Sequence, residues 1–177
     1  VIDHGAPSQR CELCEQEALR YHYGIENSST QEALWVGSSC ILKFAGINVC
    51  DENGERLVVE TDRKRILDKK LKEKKNHIML DPVRKLYVKR KGDQDVIHER
   101  VKFFKRKGGF MPRDLVSLFE GIESIGEEYK PELFPVYLRS RKSQRQIKSM
   151  RRDSLRRIAN SLSAQQKIRF AAVLANV

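Results

Sequence analysis

The chain has 177 residues, 40% of them hydrophobic and 33% charged, which is enough apolar material for one or two buried cores. Its longest apolar runs, such as "AAVLA" near the end, fall far short of the ~20 residues a bilayer span needs. The opening "VIDHGAPSQR" lacks the basic start and apolar middle of a signal peptide, so a cytoplasmic protein with reduced cysteines and no membrane partner is expected. The net charge of +11 is unevenly spread: residues 1–60 carry 4 Lys/Arg against 10 Asp/Glu, and residues 61–177 carry 31 against 14. A front of net −6 is a poor grip for phosphates and a body of net +17 a good one. That asymmetry predicts two domains, 1–60 and 61–177.

In chain order, Cys11-x-x-Cys14 comes first. The following "ALRYHYGI" alternates, with Leu19, Tyr21, Tyr23 and Ile25 on one face and Arg20, His22 and Gly24 on the other, the pattern of a half-buried strand. "ENSST" is a turn, because its side chains bond to their own backbone, and "QEALWVG" then closes a hairpin. Ser38 or Ser39 caps a short helix through "CILKFAG", with Gly46 as its stop. Asn53-Gly54 marks a tight turn between extended pieces. From Thr61 the pattern turns helical and basic, with Ile66, Leu67, Leu71, Ile78 and Met79 on an apolar stripe. Asp81-Pro82 reads as the start of a new helix, with Val83, Leu86 and Tyr87 inward.

Further helices are expected over "DQDVIHERVKFFKRK", stopped by Gly108-Gly109, and over "MPRDLVSLFEGIESIG". "YKPELFPVYLRS" is a connector with one short strand. "SQRQIKSMRRDSLRRIANSL" is one helix facing inward with Ile147, Met150, Leu155, Ile158 and Leu162, and "SAQQKIRFAAVLANV" is the last, capped by Ser163. The expected class is therefore α+β: a small hairpin-and-helix module followed by a mainly helical basic domain.

Three of the 4 cysteines fall within residues 11–40. A Cys-x-x-Cys lets two thiolates close on one ion from a tight turn, and zinc takes four such donors in a tetrahedron. Cys40 stands at a helix start, where the dipole favours a thiolate. The order of knuckle, hairpin and cysteine at a helix start resembles the treble-clef zinc fingers. Residues 11 to about 45 also resemble a group of small bacterial and phage zinc proteins through the Cys-x-x-Cys, the "LRYH" strand and the "VGSSC" helix start. The resemblance implies one structural zinc and a phage or mobile-element context, and it carries no activity.

The sequence departs from the treble-clef pattern after Cys40, where Ile41, Leu42, Lys43 and Phe44 offer no second helical ligand. The fourth donor must come from elsewhere: His22 is preferred, Cys50 is the alternative, and His4 stands in a leader that reads as mobile. A redox role for the Cys-x-x-Cys is disfavoured, since no thioredoxin-like βαβ unit follows. A His-Asn-His nuclease is disfavoured because Asp3-His4 precedes the knuckle and the helix carries no histidine. No catalytic constellation can be assembled from spacing, and a metal-dependent nuclease ranks last among the functional readings.

Two basic runs remain. Arg141, Lys142, Arg145, Lys148, Arg151, Arg152, Arg156 and Arg157 face only Asp153 within their own run, too few acids for the usual i,i+4 pairing. Lys69, Lys70 and Lys74 belong to the other. Unpaired cations repel one another unless a polyanion supplies the countercharge, and guanidinium groups fork well to phosphate. A nucleic acid, DNA or RNA, is the expected partner of these eleven residues. Tyr87, Phe103, Phe104 and Phe110 could stack on bases, although their helical spacing fits core positions better. The alternative is an adaptor or inhibitor docking its basic face on an acidic protein, with the acidic front offered to a protein partner as well.

Overall fold

The alternation over residues 19–25 does produce a strand. In the computed structural model, which describes residues 1–175, β1 (Ile2–Asp3), β2 (Tyr21–Glu26) and β3 (Ala33–Val36) form an antiparallel sheet in that order. The hairpin register sets Tyr23 opposite Val36 and Ile25 opposite Leu34. Asn27 closes its turn by accepting the Ser29 amide at 2.9 Å. Helix α1 (Ser38–Lys43) follows at once. It is capped by Gly37 with no side-chain bond, and it ends at Phe44, so neither serine caps it and Gly46 lies beyond its stop. The turn at 51–55 forms as expected, with Asp51 Oδ1 accepting the amides of Asn53 and Glu55 and Gly54 at φ 84°.

Helix α2 (Glu60–Lys89) contradicts one expectation: it runs unbroken through Pro82 instead of restarting there. A proline inside a helix removes one backbone bond and costs about 3 kcal/mol. Burial of Met79, Val83 and Leu86 offsets that cost, each of them at most 2% exposed. The remaining helices are α3 (Gln94–Lys107), α4 (Pro112–Ser124), α5 (Arg141–Lys148), α6 (Arg152–Ile158), α7 (Ala164–Arg169) and α8 (Ala171–Leu174). The single helix expected over 143–162 is thus two, separated at 149–151, and the last one is also divided, its final two residues lying outside the described part. The connector at 129–140 holds one 3-10 turn, and in place of a strand it makes one parallel bridge between Val136 and Phe110. No described helix is long and apolar enough to cross a membrane.

The chain divides into two compact units, residues 1–75 and the part from Asn76 onward. The division falls inside α2, beyond the change of composition near residue 60. Each unit has its own core. In the first, Tyr23, Val36, Ile41, Val49 and Leu67 pack around Cys11 and Cys40. In the second, Phe104 stacks on Phe110 at 4.9 Å, and Phe119 meets Phe134 edge-on at 5.1 Å. Two glycines shape this second core. Gly108 ends α3 at φ 74°, and Gly121 lets α4 approach Leu86 so closely that a Cβ would sit 2.9 Å from its methyl.

Candidate metal centre

The knuckle is a tight backbone loop. The Cys11 amide donates to Gln16 and the Glu15 amide to Cys11, both at 2.9 Å. Its geometry forces Glu15 to φ 61°, a left-handed conformation that glycine usually takes. The loop is tied to β3 twice through Glu12, whose amide donates to the Trp35 carbonyl at 3.1 Å and whose carboxylate accepts the Trp35 amide at 2.6 Å. These ties set Cys11 under the start of α1, where the Gly37 amide donates to its sulfur at 3.5 Å.

Cys11, Cys14 and Cys40 then converge, with their three sulfurs all within 4.8 Å of one another. Cys11 and Cys40 are buried, Cys14 is exposed, and the Cys11–Cys40 separation is 3.5 Å. Zinc–sulfur bonds of ~2.3 Å in a tetrahedron place sulfurs roughly 3.8 Å apart, so this spacing fits a shared ion and is far too long for a disulfide. The electrostatics agree. Burial pushes the Cys11 thiol up, but the Gly37, Cys14 and Leu13 amides outweigh it and bring it to about 7. Burial pushes Cys40 up, and the neighbouring Cys14 and Cys11 sulfurs add to the effect. Adjacent thiolates that resist joint ionisation are what a divalent cation relieves. The group therefore suits a metal ion.

Among the described residues no fourth His, Cys, Asp or Glu brings a ligand atom into this group. Cys50 is exposed in the bridge to Arg56 beside the 51–55 turn. His22 is buried on the face of β2 opposite Tyr23, and its Nε2 has no hydrogen-bond partner. It lines a cavity of about 560 Å³ together with Cys11, His4, Glu12, Glu15 and Trp35.

The basic residues divide in two. Arg141, Lys142, Arg145 and Lys148 lie on the exposed side of α5, whose inward residues are Ser143 and Ile147. Arg151 and Arg152 are exposed at the start of α6. Among the described residues no carboxylate pairs with any of these six cations. Arg156 is exposed too, whereas Arg157 is half-buried against the Glu123 carboxylate. Lys69 is paired with Glu52, Lys70 lies 3.6 Å from Glu73, and half-buried Lys74 has no ion pair among the described residues. Phe104 and Phe110 are core, and Phe103 packs edge-on against Tyr137 at 5.4 Å, while Tyr87 is exposed. Two arginines escaped the sequence reading. Arg113 of α4 is drawn to α5 through Gln146 and Ser149, at 3.4 Å each. Arg63 of α2 donates to the carbonyls of Ile41, of Ile47 at 3.0 Å and of Leu42 at 3.5 Å, holding the C-terminal end of α1. Arg63 stands within the first basic run without a signal of its own, and Arg113 in no motif, since each acts on an element distant in sequence. No protein-family model, curated protein or solved structure matches the chain.

Proposed function

We propose that the protein is a non-enzymatic nucleic-acid-binding protein whose N-terminal module is built on one structural zinc ion. Cys11, Cys14 and Cys40 hold the ion, and His22 supplies the fourth donor in preference to Cys50. Burial and an unsatisfied Nε2 in the cavity that Cys11 lines support His22, while Cys50 stands in the bridge to Arg56 and is not among that cavity's lining residues. Three thiolates with one nitrogen suit zinc, and the arrangement belongs with the treble-clef fingers in its order of knuckle, hairpin and helix-borne cysteine. When bound, the ion cross-links the knuckle to α1 and fixes a unit whose core is small.

The single observation that carries the nucleic-acid reading is the exposed, unpaired cationic surface of α5 and the start of α6. Cations left without carboxylates on a folded surface are stable companions for a phosphate backbone, which they contact without reading sequence. Arg113 enlarges the same surface. The test is anisotropy of labelled duplex and single-stranded DNA and RNA, titrated at several salt concentrations. Binding that weakens steeply as salt rises is expected. Absence of affinity for every polyanion, with one acidic protein recovered instead, would replace this reading by the adaptor one.

A further inference from the structure

Two imidazoles, not one, are stranded beside the cysteines. His22 is only 6% exposed, and the Nε2 atoms of both His22 and His4 are buried without a hydrogen-bond partner. Their rings meet edge-on with centroids 4.9 Å apart, and both line the cavity that Cys11 also lines. A buried nitrogen left without a partner is costly, and such groups in a folded protein call for one. His4 is also no loose end. Ile2 and Asp3 pair with His22 and Tyr21, the His4 amide donates to Arg20 at 3.0 Å, and Arg20 forks onto the Asp3 carboxylate at 2.9 and 3.2 Å. Strand β1 thus delivers the imidazole of His4, the residue that follows it, to this cavity by a specific set of bonds.

We infer that His4 and His22 are interchangeable nitrogen donors to the fourth position of the ion held by Cys11, Cys14 and Cys40, which makes β1 part of the metal centre. This rests on the metal reading above. A tetrahedral ion with three thiolates has one position left, so the two imidazoles serve it in turn, and loss of one leaves the other in place. Imidazole nitrogen is a common partner of zinc beside thiolates. The two carboxylates at this cavity are already engaged, Glu12 by the Trp35 amide and Glu15 by Arg10.

The test is cobalt(II) titration of the full-length, metal-depleted protein, followed by its visible and near-ultraviolet spectrum. Wild type, His4→Ala and His22→Ala are all expected to give a tetrahedral band with three thiolates and one nitrogen, each single variant losing about tenfold in affinity or less. The double variant is expected to lose more than about a hundredfold and to shift its band as oxygen replaces nitrogen. Free imidazole added to the double variant then restores the nitrogen band, a rescue that an unfolded chain would not show. An unchanged double variant, full loss in His22→Ala alone, or a spectrum that changes in Cys50→Ser would each overturn the inference. A wild type without thiolate-to-cobalt absorption would remove the metal reading beneath it, and the inference with it.

Discussion

Glu15 stands at φ 61° immediately after the second knuckle cysteine, where an L-residue carries a penalty of about 1–2 kcal/mol that glycine avoids. Its ion pair with Arg10, at 2.5 Å, is solvent-exposed on both sides and returns little. Glu15→Gly should therefore raise stability by roughly 0.5–1 kcal/mol, after allowance for glycine's freedom in the unfolded chain, with metal stoichiometry unchanged. Denaturant midpoints of the two metal-loaded proteins check this. In the second unit, the Tyr129 hydroxyl donates to Glu123 at 2.6 Å. Burial, then that hydrogen bond and the Glu123 charge, raise its pKa well above the ordinary value near 10. A phenol raised in the folded state contributes stability that is fully present below the unfolded pKa. That contribution is lost as pH climbs from about 10 toward the folded value, because the unfolded chain sheds the proton first. Tyr129→Phe should flatten the fall in stability that wild type shows above about pH 10, measured by denaturant titration across the alkaline range. At this scale the cysteines were legible, since Cys11 and Cys14 share one local turn and Cys40 marks a helix start. The packing of His4 against His22 was not, because a strand of two residues has no periodicity and the two rings stand 18 positions apart.

Helix α1 has six residues and no side-chain cap, too short to persist without help. Its help comes from Arg63, whose guanidinium collects three carbonyls at and just beyond its end. Arg63→Ala should cost about 1.5–3 kcal/mol, the range for hydrogen bonds from a charged donor, and Arg63→Lys should recover only part, since an ammonium cannot span all three acceptors. Because α1 carries Cys40, the same variants should release metal more readily, which a chelator-competition assay reads. An Arg63→Ala protein with wild-type melting and metal retention would show that α1 stands on the ion alone. Element existence was largely readable from periodicity, and two of the misjudged boundaries share one cause. At Pro82 local chemistry points to a helix start, yet apolar residues on both sides of it bury together and carry the helix through. At 149–151 no glycine or proline announces a break, yet Arg151 turns extended at ψ 151° so that Ile147 and Leu155 both reach the core. Tertiary packing decided each case, and it lies outside what a local window contains.

Across the whole chain the charge is segregated by sequence, and the binding claim can be counted in phosphates. Each lysine or arginine that neutralises a phosphate releases condensed counterions, so the logarithm of affinity falls with the logarithm of salt by about 0.9 per contact on duplex and about 0.7 on single strands. Replacing Arg141, Lys142, Arg145 and Lys148 together by glutamine should therefore reduce the slope by about 3.6 on duplex or about 2.8 on a single strand, with little change in stability. All four are exposed and, among the described residues, make no ion pair to lose. Lys69→Gln supplies the contrast. Its ammonium is already matched by Glu52, so the slope should stay put even though the residue lies in an equally basic stretch. The two variants separate a localised phosphate grip from a diffuse attraction of a net +11 molecule to any polyanion. A diffuse field would lose slope in proportion to charge removed, whichever lysine or arginine was taken. A local grip loses it only where the cation stands exposed and unmatched.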